Sequence, residues 1–292
     1  MKLGTRRSKL ALAQSGMVAR DLGPDVELLG IDTEGDRIVD APLTGPLAKG
    51  FFTEALETAL REGRIDLAVH SLKDLPVGDS EGLVVAAVTR RERANDVLIA
   101  RAEAVVDEAF PLRPGSRVGS TSTRRQALFR HHGRDLEVLP LRGNVTTRVE
   151  RLREGRFDAI VLAEAGLNRL GAEVSLRGLR AFRLGLDGWP CAPGQGALAI
   201  QCRASDSVTR ARIAALHHEP TAAAVATERQ WLSALGGGCT IPFGAHVDGE
   251  RWSCVLALDG VVLRSGEGTS GSLPWTRGRE NVFDFEVIHV DP

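Results

Sequence analysis

Leu60-Arg-Glu-Gly-Arg-Ile-Asp-Leu-Ala-Val69 returns, scarcely altered, as Leu152-Arg-Glu-Gly-Arg-Phe-Asp-Ala-Ile-Val161. Each copy reads as a helix end, a glycine that stops the helix, and an apolar run that opens a strand. A second echo precedes each copy: Gly4-Thr5-Arg6 and the Gly119-Ser120 run are both strand ends that enter a helix through small hydroxyl residues and arginine. Strand–helix units recurring in the same order predict an α/β chain with two similar lobes. Around the first copy, residues 26–31, 67–70 and 83–88 read as strands, and a helix is expected from Thr53. In that helix Phe52, Leu56, Ala59 and Leu60 fall at i, i+4, i+7 and i+8, which places one apolar stripe against a sheet.

Past Val208 the grammar changes. Residues 207–216 and 221–235 read as helices, a glycine-rich turn follows, and 252–258 and 261–265 read as short strands. This predicts a third, small α+β domain, while the apolar run 197–202 returns the chain to the first lobe's sheet. The expected division is residues 1–90 with 190–207, residues 91–189, and residues 208–292.

A chain of 292 residues, 43% hydrophobic and 26% charged, can bury a substantial core in about two domains. No apolar run approaches the roughly eighteen residues of a spanning helix, and residues 1–12 lack the apolar core of a signal peptide, so a cytoplasmic location without membrane contact is expected. Cys191, Cys202, Cys239 and Cys254 form no C-x-x-C pair, which argues against a zinc site or a disulfide framework. His131-His132 and His217-His218 lack ligand spacing and read as solvated faces, so no metal is expected. A net charge of −1 lacks the basic excess of a nucleic-acid binder and favours a small-molecule partner. Only Lys2, Lys9, Lys49 and Lys73 are lysine among 37 basic residues; arginine, whose planar fork grips carboxylates, supplies the rest. Base composition explains such a bias equally well, except within the motifs below.

Four segments can carry chemistry. His70-Ser-Leu-Lys-Asp-Leu-Pro76 follows a buried-looking strand, where α/β proteins place reactive groups; Asp74 there is either an anion that stabilises a developing cation or a turn-forming aspartate ahead of Pro76. Ser120-Thr-Ser-Thr-Arg-Arg125 opens a helix with hydroxyls and two adjacent forks, which suits carboxylates at a positive helix end and equally suits an ordinary capped helix. Leu141-Arg-Gly-Asn-Val-Thr-Thr-Arg148 repeats the idea, with Arg142 and Arg148 bracketing a helix start. Gly236-Gly-Gly-Cys-Thr-Ile-Pro242 sets a cysteine on a loop after a helix, as an alkylatable thiol or a buried one. Gly266-x-Gly-x-x-Gly271 matches a dinucleotide fingerprint in letters only, since no βαβ unit follows it.

Together with Gly4-Thr-Arg-Arg-Ser-Lys-Leu-Ala-Leu-Ala-Gln14, Lys49-Gly-Phe-Phe, Gly194-Gln-Gly-Ala and Gly237-Gly-Cys239 after Glu228-Arg229, these segments closely resemble the porphobilinogen deaminase family, up to about Gly266. The resemblance implies three α/β domains, the first two like periplasmic-binding-protein lobes flanking an active-site cleft, in a monomer. It implies a dipyrromethane cofactor joined to Cys239 by a thioether, and condensation of four porphobilinogen molecules, with loss of ammonia, to hydroxymethylbilane. Asp74 then matches the family's catalytic aspartate. Arg6, Ser8, Gln14, Lys73, Ser122, Arg124, Arg125, Arg142, Arg148, Arg169 and Gln195 match residues that bind the carboxylates of cofactor and substrate. Two departures stand out: Leu47-Ala48-Lys49-Gly50 replaces a Gly-Gly-Lys-Gly loop, and the tail from Ser270 is short, with residues 281–290 strand-like. A binding module of the periplasmic-receptor type would share the lobes but needs no Cys239, and a phosphoribosyltransferase would need a pyrophosphate loop that the sequence lacks.

Overall fold

The computed structural model describes residues 1–32, 53–133, 135–237, 241–258, 261–265 and 285–288. In chain order the elements are β1 (Lys2–Arg6), α1 (Lys9–Leu22), β2 (Glu27–Ile31), α2 (Glu54–Arg61), β3 (Leu67–Ser71), β4 (Leu83–Val88), β5 (Asp96–Arg101), β6 (Arg117–Gly119) and α3 (Thr123–His132). They continue as β7 (Glu137–Leu139), α4 (Val145–Arg153), β8 (Ala159–Ala163), α5 (Glu164–Leu170), β9 (Leu179–Leu184), β10 (Leu198–Arg203), α6 (Ser207–Ile213) and α7 (Glu219–Ala234). Strands β11 (Phe243–Asp248), β12 (Arg251–Leu258), β13 (Val261–Ser265) and β14 (Phe285–Ile288) close the described chain. Two compact units result: Met1–Glu92 with Gly196–Gly238, and Arg93–Gln195 with Cys239–Pro292. Helices α6 and α7 fall in the first and strands β11 to β13 in the second; a separate third domain over 208–292 stays a proposal.

The first unit is built on a mixed sheet of order β2-β1-β3-β10-β4, in which β1 runs parallel to β2 and β3, and β10 runs antiparallel to β3 and β4. Side chains alternate along β3: Leu67 and Val69 pack with Val18 of α1 and Ile213 of α6, and Ala68 packs with Leu56, Ala59 and Leu60 of α2. The second unit's sheet, β14-β9-β5-β8-β6-β7, repeats the arrangement. There Ala159 and Val161 of β8 face Leu128 and Phe129 of α3, while Ile160 faces Val149 and Leu152 of α4. Strands β11, β12 and β13 form a separate antiparallel sheet. Of the strand expected over 281–290, residues 285–288 form β14, antiparallel to β9.

The repeated decapeptide behaves as one device used twice. Gly63 and Gly155 take positive φ (69° and 73°) and donate to Leu60 O and Leu152 O, ending α2 and α4. Three residues on, Asp66 and Asp158 each accept the N–H that opens the neighbouring parallel strand, from Lys2 and Arg117, both at 2.8 Å. Their own N–H groups return to Lys2 O and Arg117 O. The aspartate in each copy therefore fixes the register of β1 on β3 and of β6 on β8.

Close approach explains the glycine at each first-strand echo. A Cβ on Gly119 would lie 2.8 Å from Leu141 Cδ2 and 3.0 Å from Phe157 Cδ1, both in the packed layer under α4. Gly119→Ala is expected to cost about 1–3 kcal/mol through overpacking, read as a lower midpoint in urea with an unchanged slope.

Candidate active site

In the first unit the parallel strands β1 and β3 end at Arg6 and Ser71, at the same edge of the sheet. Ser8 caps α1, its Oγ accepting from Ala11 N at 3.3 Å, so its hydroxyl proton still serves as a donor. Gln14, buried in α1, donates from Nε2 to Ser71 Oγ at 2.8 Å and ties that helix to the end of β3. The chain then makes a 3₁₀ turn over Leu72–Asp74. Leu72 and Leu75 are buried beneath the turn, Lys73 is half-buried, and Asp74 is exposed. The turn expected ahead of Pro76 is present, and Asp74 is exposed on it.

Just before this turn, His70 is buried, a contact network that sequence reading missed. Its Nε2 lies 3.1 Å from Gln201 Oε1, and Gln201 Nε2 donates to Glu57 Oε1 at 3.1 Å, which also accepts Ser80 Oγ at 2.7 Å. A carboxylate only accepts, so Gln201 must turn its NH₂ toward Glu57 and its oxygen toward His70, which puts the imidazole proton on Nε2. Burial outweighs the nearby Glu57 charge and pushes the His70 pKa from 6.5 down to about 4. As pH falls from 6.5 the unfolded chain takes up this proton and the folded chain does not, so stability drops across that window by roughly 3 kcal/mol. A His70→Asn variant is expected to show a flatter dependence of the melting temperature on pH between 6.5 and 4.

In the second unit Ser122 caps α3 at the exit of β6, its Oγ accepting from Arg125 N at 3.4 Å, the counterpart of Ser8 at the exit of β1. Asn144 caps α4, with Thr147 N donating to its Oδ1 at 2.9 Å. Arg142 and Arg148 are half-buried on either side of this cap; Arg148 Nε donates to Gly143 O at 2.8 Å, and Gly143, at φ 104°, lets the backbone make the turn. Arg169 is half-buried on α5. The starts of α3 and α4 are the positive ends of their helix dipoles, which favour negative charge nearby.

Arg124 and Arg125 are placed otherwise than exposed forks would be. Both are buried, and both close on Asp96, the fully buried first residue of β5. Arg125 donates from Nε (2.9 Å) and Nη2 (2.6 Å) to the two Asp96 oxygens and from Nη1 to Val161 O (2.9 Å). Arg124 donates from Nη2 to Asp96 Oδ2 (2.9 Å) and from Nη1 to Pro190 O (2.8 Å). Trp189 Nε1 (3.0 Å) and Gln195 Nε2 (2.9 Å) complete the shell of the same carboxylate. Burial alone would raise its pKa, but the charges and hydrogen bonds of Arg124 and Arg125 outweigh that and hold Asp96 far below the usual carboxylate range. Nothing marks Asp96 in the sequence, since its partners lie 28 and 29 residues away; the signal is only that two adjacent buried arginines require a counter-charge.

Helix α7 ends in Gly236 and Gly237, both at positive φ (93° and 63°). Cys239 itself, the Lys49 loop and the 266–271 glycine pattern lie outside the described residues. The other cysteines, Cys191, Cys202 and Cys254, are buried. Two histidines read as solvated have definite places instead: His132 Nε2 lies 2.9 Å from Gly188 O with its ring stacked on Trp189, and His218 Nδ1 accepts from Thr221 N to cap α7. Among the described residues no cluster of three or more His, Cys, Asp or Glu suits a metal, and no helix is long and apolar enough to cross a membrane.

The family model for the porphobilinogen deaminase dipyromethane cofactor binding domain matches residues 1–211. The chain is 44% identical to the porphobilinogen deaminase of Shouchella clausii, covering 90% of this chain and 82% of that one. It is 46% identical to porphobilinogen deaminase 1 of Streptomyces coelicolor, covering 90% and 81%. Among solved structures, a periplasmic binding protein from Brucella ovis with glutathione bound aligns over 73% of this chain and 65% of that one, at 13% identity and a TM-score of 0.44.

Proposed function

The chain belongs to the porphobilinogen deaminase family, and from that premise we propose how its own residues carry the family's reaction. The reaction is condensation of four porphobilinogen molecules, each losing ammonia, into linear hydroxymethylbilane on a dipyrromethane cofactor. When bound, the dipyrromethane supplies the nucleophilic terminal pyrrole to which the chain is added.

The observation that carries the proposal is Asp74, an exposed carboxylate on a turn whose two flanking leucines are buried. When porphobilinogen loses ammonia its pyrrole becomes an electron-poor cation, and a fixed carboxylate near the ring nitrogen stabilises that charge more than it stabilises the neutral ground state. The same oxygen can hold and release the nitrogen proton as the new carbon–carbon bond forms.

Every pyrrole brings an acetate and a propionate, so bound negative charge grows with each addition. Arg6, Ser8, Gln14 and Lys73 from the first unit, and Ser122, Arg142, Arg148 and Arg169 from the second, are proposed to bind these carboxylates. Arg124, Arg125 and Gln195 belong to the same set through family position, and their cluster on Asp96 fixes the start of α3, where Ser122 sits. The residues present fit the cofactor: capped helix starts with half-buried arginines offer anion sites, and the glycine end of α7 leads directly to Cys239. Attachment through a thioether at Cys239, action as a monomer and a cytoplasmic location are part of the proposal, supported by family membership.

Intact mass under denaturing conditions tests it. Wild type supplied with porphobilinogen is expected to carry the mass of two deaminated porphobilinogen units and to release ammonia, and Cys239→Ser is expected to carry none. Equal added mass in both proteins would place the attachment elsewhere.

A further inference from the structure

One face of α7 is docked on the turn that carries Asp74. Val225 packs in a common cluster with Leu72 and Leu75, and Ala222 lies against the same cluster. Arg229, one helical turn beyond Val225, continues that face. Its Nη1 donates to Leu72 O (3.3 Å) and Leu75 O (3.1 Å), and its Nη2 donates to Pro76 O (2.6 Å). Leu72 O also accepts from Leu75 N at 3.2 Å, closing the turn, and Arg229 adds a side-chain donor to it and to the carbonyls of Leu75 and Pro76. The planar fork reaches these acceptors from two separate nitrogens held in one plane, a geometry that an ammonium, with all its donors on one atom, does not reproduce.

The neighbouring residue anchors the helix that carries this fork. Glu228 is fully buried and accepts from Arg91 Nη1 (2.6 Å) and Nη2 (3.0 Å), a two-pronged pair at the end of the segment that follows β4. Two consecutive residues of α7 thus fix the helix to the body of the first unit and fix the Asp74 turn to the helix. In sequence α7 is followed by Gly236 and Gly237 and then, outside the described residues, by Cys239.

We infer that Arg229 is a positioning residue for the condensation: through three backbone carbonyls it holds the Asp74 turn in fixed relation to the helix leading to the cofactor cysteine. The inference rests on the proposed roles of Asp74 and Cys239. It requires Arg229 to act on the rate of bond formation, not on cofactor attachment or substrate affinity.

The test uses holoenzyme carrying Arg229→Lys or Arg229→Ala, with Asp74→Asn alongside. Arg229→Lys is expected to keep the bound pyrrole mass and a KM within about twofold, while kcat falls on the order of tenfold or more. Hydrogen exchange of the peptide spanning residues 72–77 should quicken while that of β3 does not, and added guanidinium should restore part of the Arg229→Ala rate where equal sodium chloride does not. A wild-type kcat in Arg229→Lys, with Asp74→Asn inactive, overturns the Arg229 inference and leaves Asp74 standing. Normal turnover in Asp74→Asn overturns the parent reading whatever Arg229 does. Parallel loss of cofactor, melting temperature and kcat in both Arg229 variants also overturns the inference, because that is the signature of a general structural ion.

Discussion

Asp74→Asn is expected to fold, melt and take up cofactor like wild type, with kcat lowered by about 10²–10³. The fold is indifferent because Asp74 is exposed and the turn is held by Leu72, Leu75 and the Arg229 bonds, none of which involves its carboxylate. Surface changes away from caps and cores stay within about 0.5 kcal/mol. The rate is not indifferent, because asparagine keeps the shape and removes the negative charge that a developing pyrrole cation requires. Ammonia release under saturating porphobilinogen reads the effect, and kcat within threefold of wild type would remove Asp74 from the mechanism.

The largest stability effect is expected at Asp96. Asp96→Ala leaves Arg124 and Arg125 buried with no counter-charge, and breaking such a cluster costs about 3–5 kcal/mol. For a chain of this size that lowers the melting temperature by roughly 10 °C. Because its folded pKa is depressed, the stability Asp96 contributes is present above its unfolded pKa and is lost as pH falls below it. The acid limb of the wild-type stability curve should therefore be partly absent in Asp96→Asn. Trp189→Phe removes one donor to Asp96 and leaves a small cavity beside Phe110, Phe129 and His132, so about 2 kcal/mol is expected. If thermal melts rank Trp189→Phe below Asp96→Ala, the carboxylate is not the centre of the cluster.

The repeat at residues 60–69 and 152–161 was legible because its meaning is local. A glycine that ends a helix acts within a few residues, and both lobes show it in the same role; the aspartate that follows it bonds a strand start 64 or 41 residues away, a tertiary contact that the repeat did not announce. The apolar stripe Leu56, Ala59, Leu60 was legible for the same reason, since helical period and burial are tied. The turn that carries Asp74 was legible by position, at the exit of a buried strand and ahead of Pro76. The roles of Arg124 and Arg125 were not: adjacent arginines after a hydroxyl run read alike whether they face a ligand or a buried carboxylate. His132 and His218 were misread because a stacking partner and a helix cap are tertiary and conformational facts, not spacings.

By itself the sequence determined the α/β class, the doubled lobe and the residues that carry the family's motifs. All of these are written in short-range period, punctuation and residue type. The tertiary structure alone decided where the buried Arg124 and Arg125 and the half-buried Arg229 find their partners. That choice depends on buried carboxylates and carbonyls supplied by distant parts of the chain, as Asp96 is to Arg125 and Leu75 is to Arg229. A guanidinium in a low-dielectric interior must be paired, and only the fold determines where its partner lies.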